Sequence, residues 1–152
     1  MAYSTVLVGT DGSSSSFKAV SAAASLAGAT GARLVLACAY VPMRESERAA
    51  AADRLGDLAY KVSGSTPADD ALRVAREHAV AAGATDVVLA AEQGDAVDVL
   101  VSLAERHRAD LLVVGNRGLN SLAGRLLGSV PSNVSHRAGC DVLIVRTTPD
   151  GR

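Results

Sequence analysis

Five short runs of β-branched and aliphatic residues punctuate the chain, and several are apolar at successive positions instead of at every second one. They span Thr5 to Gly9, Arg33 to Val41, Asp86 to Ala91, Asp110 to Gly115 and Asp141 to Arg146; the first contains Val-Leu-Val and the fourth Leu-Leu-Val-Val. A strand that is continuously apolar has both faces covered, which marks a parallel sheet held between helical layers. The intervening stretches carry helical periodicity, so the order reads β-α-β-α-α-β-α-β-α-β, with one helical stretch open to interruption. The pattern predicts an α/β fold, a doubly wound five-stranded parallel sheet in a single domain. Right-handed crossovers leave few topologies for such a sheet, and they put a ligand site outside the carboxyl ends of the strands where the winding reverses.

The first helix is predicted to open in the serine run Ser13 to Ser16, whose hydroxyls supply N-cap oxygens, and to be closed by Gly28 and Gly31. Phe17, Val20, Ala24 and Ala27 form its inward stripe. Glu45 to Tyr60 is helical in pattern, Ala-rich and charged, and ends in the polar stretch Lys61 to Thr66. Pro67 then suits the first turn of a helix reaching Ala82, with Ala71, Leu72, Ala75 and Ala79 inward and Gly83 as its stop. Asp95 to His107 repeats the pattern with Val97, Leu100, Val101 and Ala104 inward, and a last helix starts near Ser129.

Hydrophobic residues make up 49% of the chain and aromatic residues only 3%, so the core must be Val, Leu, Ile and Ala packed between layers. With 152 residues the chain suits one domain, read as 1–148 with a short tail at 149–152. A chain of this size buries roughly 70% of its unfolded surface without disulfide or metal support. Fifteen basic and sixteen acidic residues are interspersed, giving a net charge of −1, so no footprint for a nucleic-acid backbone is present. Aromatics are too few to stack on single strands. Cys38 and Cys140 have no CxxC spacing and read as buried thiols. Neither a signal peptide nor a run near the roughly 18 apolar residues of a membrane span is visible, so a cytoplasmic protein with no membrane and no nucleic-acid partner is expected.

Catalytic patterns are missing as well. His78, His107 and His136 fall on separate helices at no metal-ligand spacing, so neither a metal site nor a histidine base is expected. There is no Gly-x4-Gly-Lys-Ser/Thr loop, and the two lysines, Lys18 and Lys61, are remote from the glycine-rich segment. No Gly-x-Gly-x-x-Gly follows the first strand and no Gly-x-Ser-x-Gly elbow exists, which argues against a dinucleotide cofactor and against a serine hydrolase. Asp86, Asp110 and Asp141 stand at the amino ends of strands, away from the ligand side, and read as turn and cap residues.

The segment that points to a function is Gly115-Asn116-Arg117-Gly118, followed after nine residues by Gly128-Ser129. It lies between the fourth strand and the last helix, so backbone amides and a helix N-terminus are available to phosphate oxygens, with the Ser129 hydroxyl beside them. With Gly9-Thr10-Asp11-Gly12-Ser13-x-x-Ser16, Leu111 to Gly115 and Gly128-Ser129-Val130-x-x-Asn133-Val134, this segment resembles the universal stress protein family. Nucleotide-binding members of that family carry Gly-x2-Gly-x9-Gly-Ser/Thr here, and the resemblance covers essentially the whole chain and extends to small single-domain actinobacterial members.

The resemblance implies a Rossmann-like sheet of the adenine nucleotide alpha hydrolase type, and ATP or cyclic AMP as bound ligand, with Mg²⁺ accompanying ATP. By matching position it implies Thr10 and Asp11 in the first loop and Ala39 at the end of the second strand. Around the phosphates it implies Gly115, Asn116, Arg117, Gly118, Gly128, Ser129 and Val130, with Ser132 as a further candidate and Arg125 as a weaker one. Pro131 departs from the pattern, since many ATP-binding members have a hydroxyl residue there; its loss fits a ligand with less phosphate. The resemblance further implies a homodimer formed through the last strand, Asp141 to Arg146, whose apolar edge needs cover. A binding module in stress response or signalling is thus expected in place of an efficient catalyst. Slow Mg²⁺-dependent ATP hydrolysis and a nucleotide-independent homodimeric interaction protein are the two alternatives.

Overall fold

The computed structural model describes residues 3–41, 67–116 and 129–147. Within them lie five strands and four helices in the order β1 (Thr5–Gly9), α1 (Ser14–Thr30), β2 (Arg33–Tyr40), α2 (Pro67–Ala81), β3 (Val87–Gln93), α3 (Ala96–Arg106), β4 (Leu111–Gly115), α4 (Ser129–Arg137) and β5 (Asp141–Val145). All pairings are parallel and the spatial order is β3-β2-β1-β4-β5. The chain therefore winds outward from β1 through β2 to β3, then crosses back to lay β4 on the other side of β1. The reversal between β1 and β4 is the predicted switch point.

Side-chain alternation along the central strands divides the core in two. Val6 and Val8 of β1, Leu34 and Leu36 of β2 and Leu111 and Val113 of β4 face α1 and α2, packing on Val20, Ala24, Leu72 and Ala75. Leu7, Val35, Leu112 and Val114 face α3 and α4, packing on Val97, Leu100, Leu103 and Val134. Val6, Leu7 and Val8 are fully buried, as are Leu112 and Val113, which is why their sequence is apolar without alternation. At roughly 1.5–3 kcal/mol for each buried aliphatic side chain, these two layers supply the dominant stabilisation.

Helix ends follow local chemistry. Ser13 caps α1 in an extended conformation and accepts from the Ser16 amide, and Gly31 ends it at φ 73. Gly28, expected to help close α1, instead lies inside the helix. A Cβ on it would sit 2.4 Å from the Gly83 carbonyl oxygen, so its role is close approach between α1 and the turn after α2. Asp95 caps α3 through the amides of Val97 and Asp98.

At the amino end of the sheet, Asp110 accepts from the Ser4 and Thr5 amides at 2.9 and 3.0 Å, pinning the entry of β1 to that of β4. Desolvation works to raise the Asp110 carboxyl, but these amide hydrogen bonds outweigh it and hold the group below the usual carboxylate range. Asp86 pairs with Arg33 and Asp141 accepts from the Tyr3 hydroxyl, so all three aspartates serve the turns, as expected. Cys38 is buried, whereas Cys140 is only half-buried; both are free thiols. The helical stretch expected at Glu45 to Tyr60, the polar stretch Lys61 to Thr66 and the tail at 149–152 lie outside the described residues.

Candidate functional site

A cavity of about 280 Å³ opens at the carboxyl ends of β1, β2 and β4. Gly9, Thr10 and Asp11 line it as β1 leaves the sheet, Ala37 and Ala39 from β2, and Val114 and Gly115 from β4. Ser13, Ser15 and Ser16 contribute from the start of α1, Ala96 and Leu100 from α3, and Val130 from α4. Thr147, just beyond β5, completes the wall. The amino ends of α1, α3 and α4 all border this cavity, because in a parallel sheet every crossover helix begins where a strand ends. Their partial positive charges give the cavity a preference for anions.

The first loop is tightly organised. The Thr10 amide continues the β1–β2 ladder by donating to Ala37 O at 2.9 Å, and the buried Thr10 hydroxyl bonds Ser16 Oγ at 2.7 Å while accepting from the Gly12 amide. Gly12 adopts φ 84, and a Cβ there would come within 2.9 Å of Ala71 Cβ, so the loop is folded down onto α2. Exposed Asp11 uses Oδ1 to accept from the Ser13 amide and hydroxyl at 2.9 and 2.5 Å. Its Oδ2 has no hydrogen-bond partner among the described residues.

On the opposite wall, Gly115 packs against Thr147, where a Cβ would approach Thr147 Cγ2 to 3.0 Å. Asn116 donates its amide to Val145 O at 2.8 Å and accepts at Oδ1 from both the amide and the hydroxyl of Thr147 at 2.8 and 3.1 Å. Of the other expected site residues, Ser129 is the exposed first residue of α4, and its carbonyl accepts from Asn133 Nδ2. Val130 reaches the cavity; Ser132 is half-buried and outside its lining. Arg117, Gly118, Arg125 and Gly128 lie outside the described residues.

Pro131 is buried in the first turn of α4, where its missing N–H leaves no helical hydrogen bond unmade. The proline is therefore tolerated here without weakening the helix. Thr10, Asp11, Ala39, Gly115 and Val130 are thus brought together as expected. Thr147 was not singled out, and Leu100, Ser13, Ser15 and Ser16, read as helix-face and capping residues, were not named as site residues although they line the cavity. For Thr147, the one available signal was a hydroxyl residue directly after the fifth apolar run.

Burial pushes the Cys38 thiol up, and the negative charges of Asp11 and Asp69 push it further, so the sulfur beside this loop stays protonated. Among the described residues no group of three or more His, Cys, Asp and Glu side chains is placed to hold a metal. No described helix is long and apolar enough to cross a membrane.

Residues 2–146 match the model of the universal stress protein family. The chain belongs to that family. It is 56% identical over 147 residues to universal stress protein Rv1636 of Mycobacterium tuberculosis (strain ATCC 25618 / H37Rv), covering 97% of this chain and 99% of the relative. A universal stress protein from Thermus aquaticus is 31% identical over 144 residues, 95% of this chain and 99% of its own. Among solved structures, that of a universal stress protein in complex with cAMP superimposes with a TM-score of 0.76 at 47% identity, covering 97% of this chain and all of the other.

Proposed function

We infer that this universal stress protein binds an adenine nucleotide in the cavity at the β1/β4 switch, acting as a binding module in stress response or signalling and not as an efficient catalyst. The observation that carries the reading is the cavity itself: apolar β-strand ends on one side, three helix N-termini on the other, in a chain 47% identical to a protein crystallised with cAMP. Ala37, Ala39 and Leu100 offer a slot for a flat base, Asp11 Oδ2 an acceptor for a ribose hydroxyl, and the start of α4 a cradle for phosphate.

Two features favour cyclic AMP over ATP. The volume of about 280 Å³ lies just below the roughly 300–1,000 Å³ typical of small-molecule sites, and Pro131, which follows the cavity-lining Val130, has no amide to offer a further phosphate. Isothermal titration of nucleotide-stripped protein with cyclic AMP and with ATP, each with and without Mg²⁺, is the test. Tighter, Mg²⁺-indifferent binding of cyclic AMP is expected. Tighter, Mg²⁺-dependent binding of ATP would transfer the assignment to ATP, and heats of dilution alone would sink the nucleotide reading.

A homodimer through β5 and a cytoplasmic setting complete the proposal. β5 is an edge strand with Leu143 38% exposed, and an apolar edge of this kind is favourably covered by a second copy. Leu143→Arg is expected to shift the protein from dimer to monomer in light scattering; an unchanged mass would place any dimer contact elsewhere.

A further inference from the structure

The nucleotide-binding reading assigns the residues after β4 to the phosphate end of the ligand, but it does not say what holds them in place or which atoms they present. The Asn116–Thr147 contact answers both. An asparagine side chain has an accepting half and a donating half, and which half faces the ligand determines whether a phosphate is attracted or repelled. Here the choice is fixed by a backbone group. The Thr147 N–H can only donate, and it lies 2.8 Å from the Asn116 side chain, so the atom facing it must be Oδ1; the Thr147 hydroxyl donates to the same oxygen at 3.1 Å. Turning the amide over would set two donors against each other. The Asn116 backbone amide is anchored as well, on Val145 O.

Both residues flanking this arrangement, Gly115 and Thr147, line the cavity, and Thr147 is only 2% exposed. Asn116 itself is half-buried and stands beside the lining; its Nδ2 has no hydrogen-bond partner among the described residues, and its two N–H groups are directed away from Thr147. We propose that Thr147 is a positioning residue: it holds the accepting half of Asn116 so that Nδ2 is presented as a donor to the anionic end of the bound nucleotide. The arrangement joins the exits of β4 and β5 at the point where the glycine-rich segment departs, so the donor is set by the sheet and not by the loop.

This inference rests on the nucleotide reading and can fail separately from it. Asn116→Asp keeps an oxygen for both Thr147 donors and replaces the NH₂ by a charged oxygen. Its melting temperature should stay near that of the wild type while its affinity for cyclic AMP falls at least tenfold, through loss of a charge-assisted donor and gain of like charge. Thr147→Val, which keeps the backbone donor but removes the hydroxyl, should weaken cyclic AMP several-fold, and Thr147→Ser should restore it. In ¹⁵N-resolved spectra of the wild type, the side-chain NH₂ pair that vanishes in Asn116→Asp should shift on addition of cyclic AMP. Undiminished affinity in Asn116→Asp, or an NH₂ pair unmoved at saturation, overturns the proposal while leaving the nucleotide reading intact. Wild-type protein that binds neither cyclic AMP nor ATP overturns both.

Discussion

Ala39→Phe is expected to reduce affinity for cyclic AMP by about a hundredfold or more, equivalent to roughly 3 kcal/mol at 1.4 kcal/mol per decade. Ala39 is half-buried near the end of β2, level with Glu92 of β3, and its methyl group lines a cavity of only about 280 Å³. A phenyl ring at this position grows into that space, taking the volume assigned to the base. Because the ring enters an existing opening, the layers of the core need not separate, and thermal stability should be nearly unchanged. Titration calorimetry together with a melting curve checks both halves. Retained affinity in a folded variant would mean that the nucleotide binds elsewhere and that this cavity has another use.

The second large effect concerns the fold alone. Gly28→Val should destabilise the protein by about 3 kcal/mol, because overpacking against an immovable neighbour costs roughly 1–3 kcal/mol or more. The neighbour is backbone: a Cβ on Gly28 would lie 2.4 Å from Gly83 O and 2.9 Å from Gly83 C. Gly83 has φ 114, a conformation that other residues rarely adopt, so the turn cannot easily yield. Helix propensity alone predicts the opposite sign for a modest substitution here, since glycine inside a helix costs about 1 kcal/mol relative to alanine. Gly139→Ala, with nothing within 4 Å of its added Cβ, is the matched control and should be near neutral. Equal urea midpoints for the two variants would contradict the close approach.

The same glycine shows how far the sequence could be read. Periodicity located all five strands within a few residues, because a parallel sheet writes its double burial into unbroken runs such as Leu111 to Val114. Gly28 was taken for part of a helix stop because glycine does end helices, and nothing local distinguishes that use from a contact with a turn 55 positions later. Asp11 was legible both as a turn residue and as a ligand candidate; the structure shows the turn role, with Oδ1 accepting from Ser13. Asn116 was legible only as a candidate. Its orientation depends on Thr147, and a hydrogen bond across 31 positions leaves no mark on either segment alone.

The placement of β1 at the centre of the sheet bears on how the chain comes together. One of its edges is met early, by β2, but the other waits for β4, and Thr5 is bonded to a residue 105 positions further on. Until that partner arrives, an apolar strand edge stands open, the kind of exposure that draws growing chains into wrong associations and lengthens folding when partners are distant. The cavity walls stretch from Gly9 to Thr147, so no large fragment can assemble them. Ligand uptake by this architecture is therefore a report that the whole chain has been threaded into its sheet.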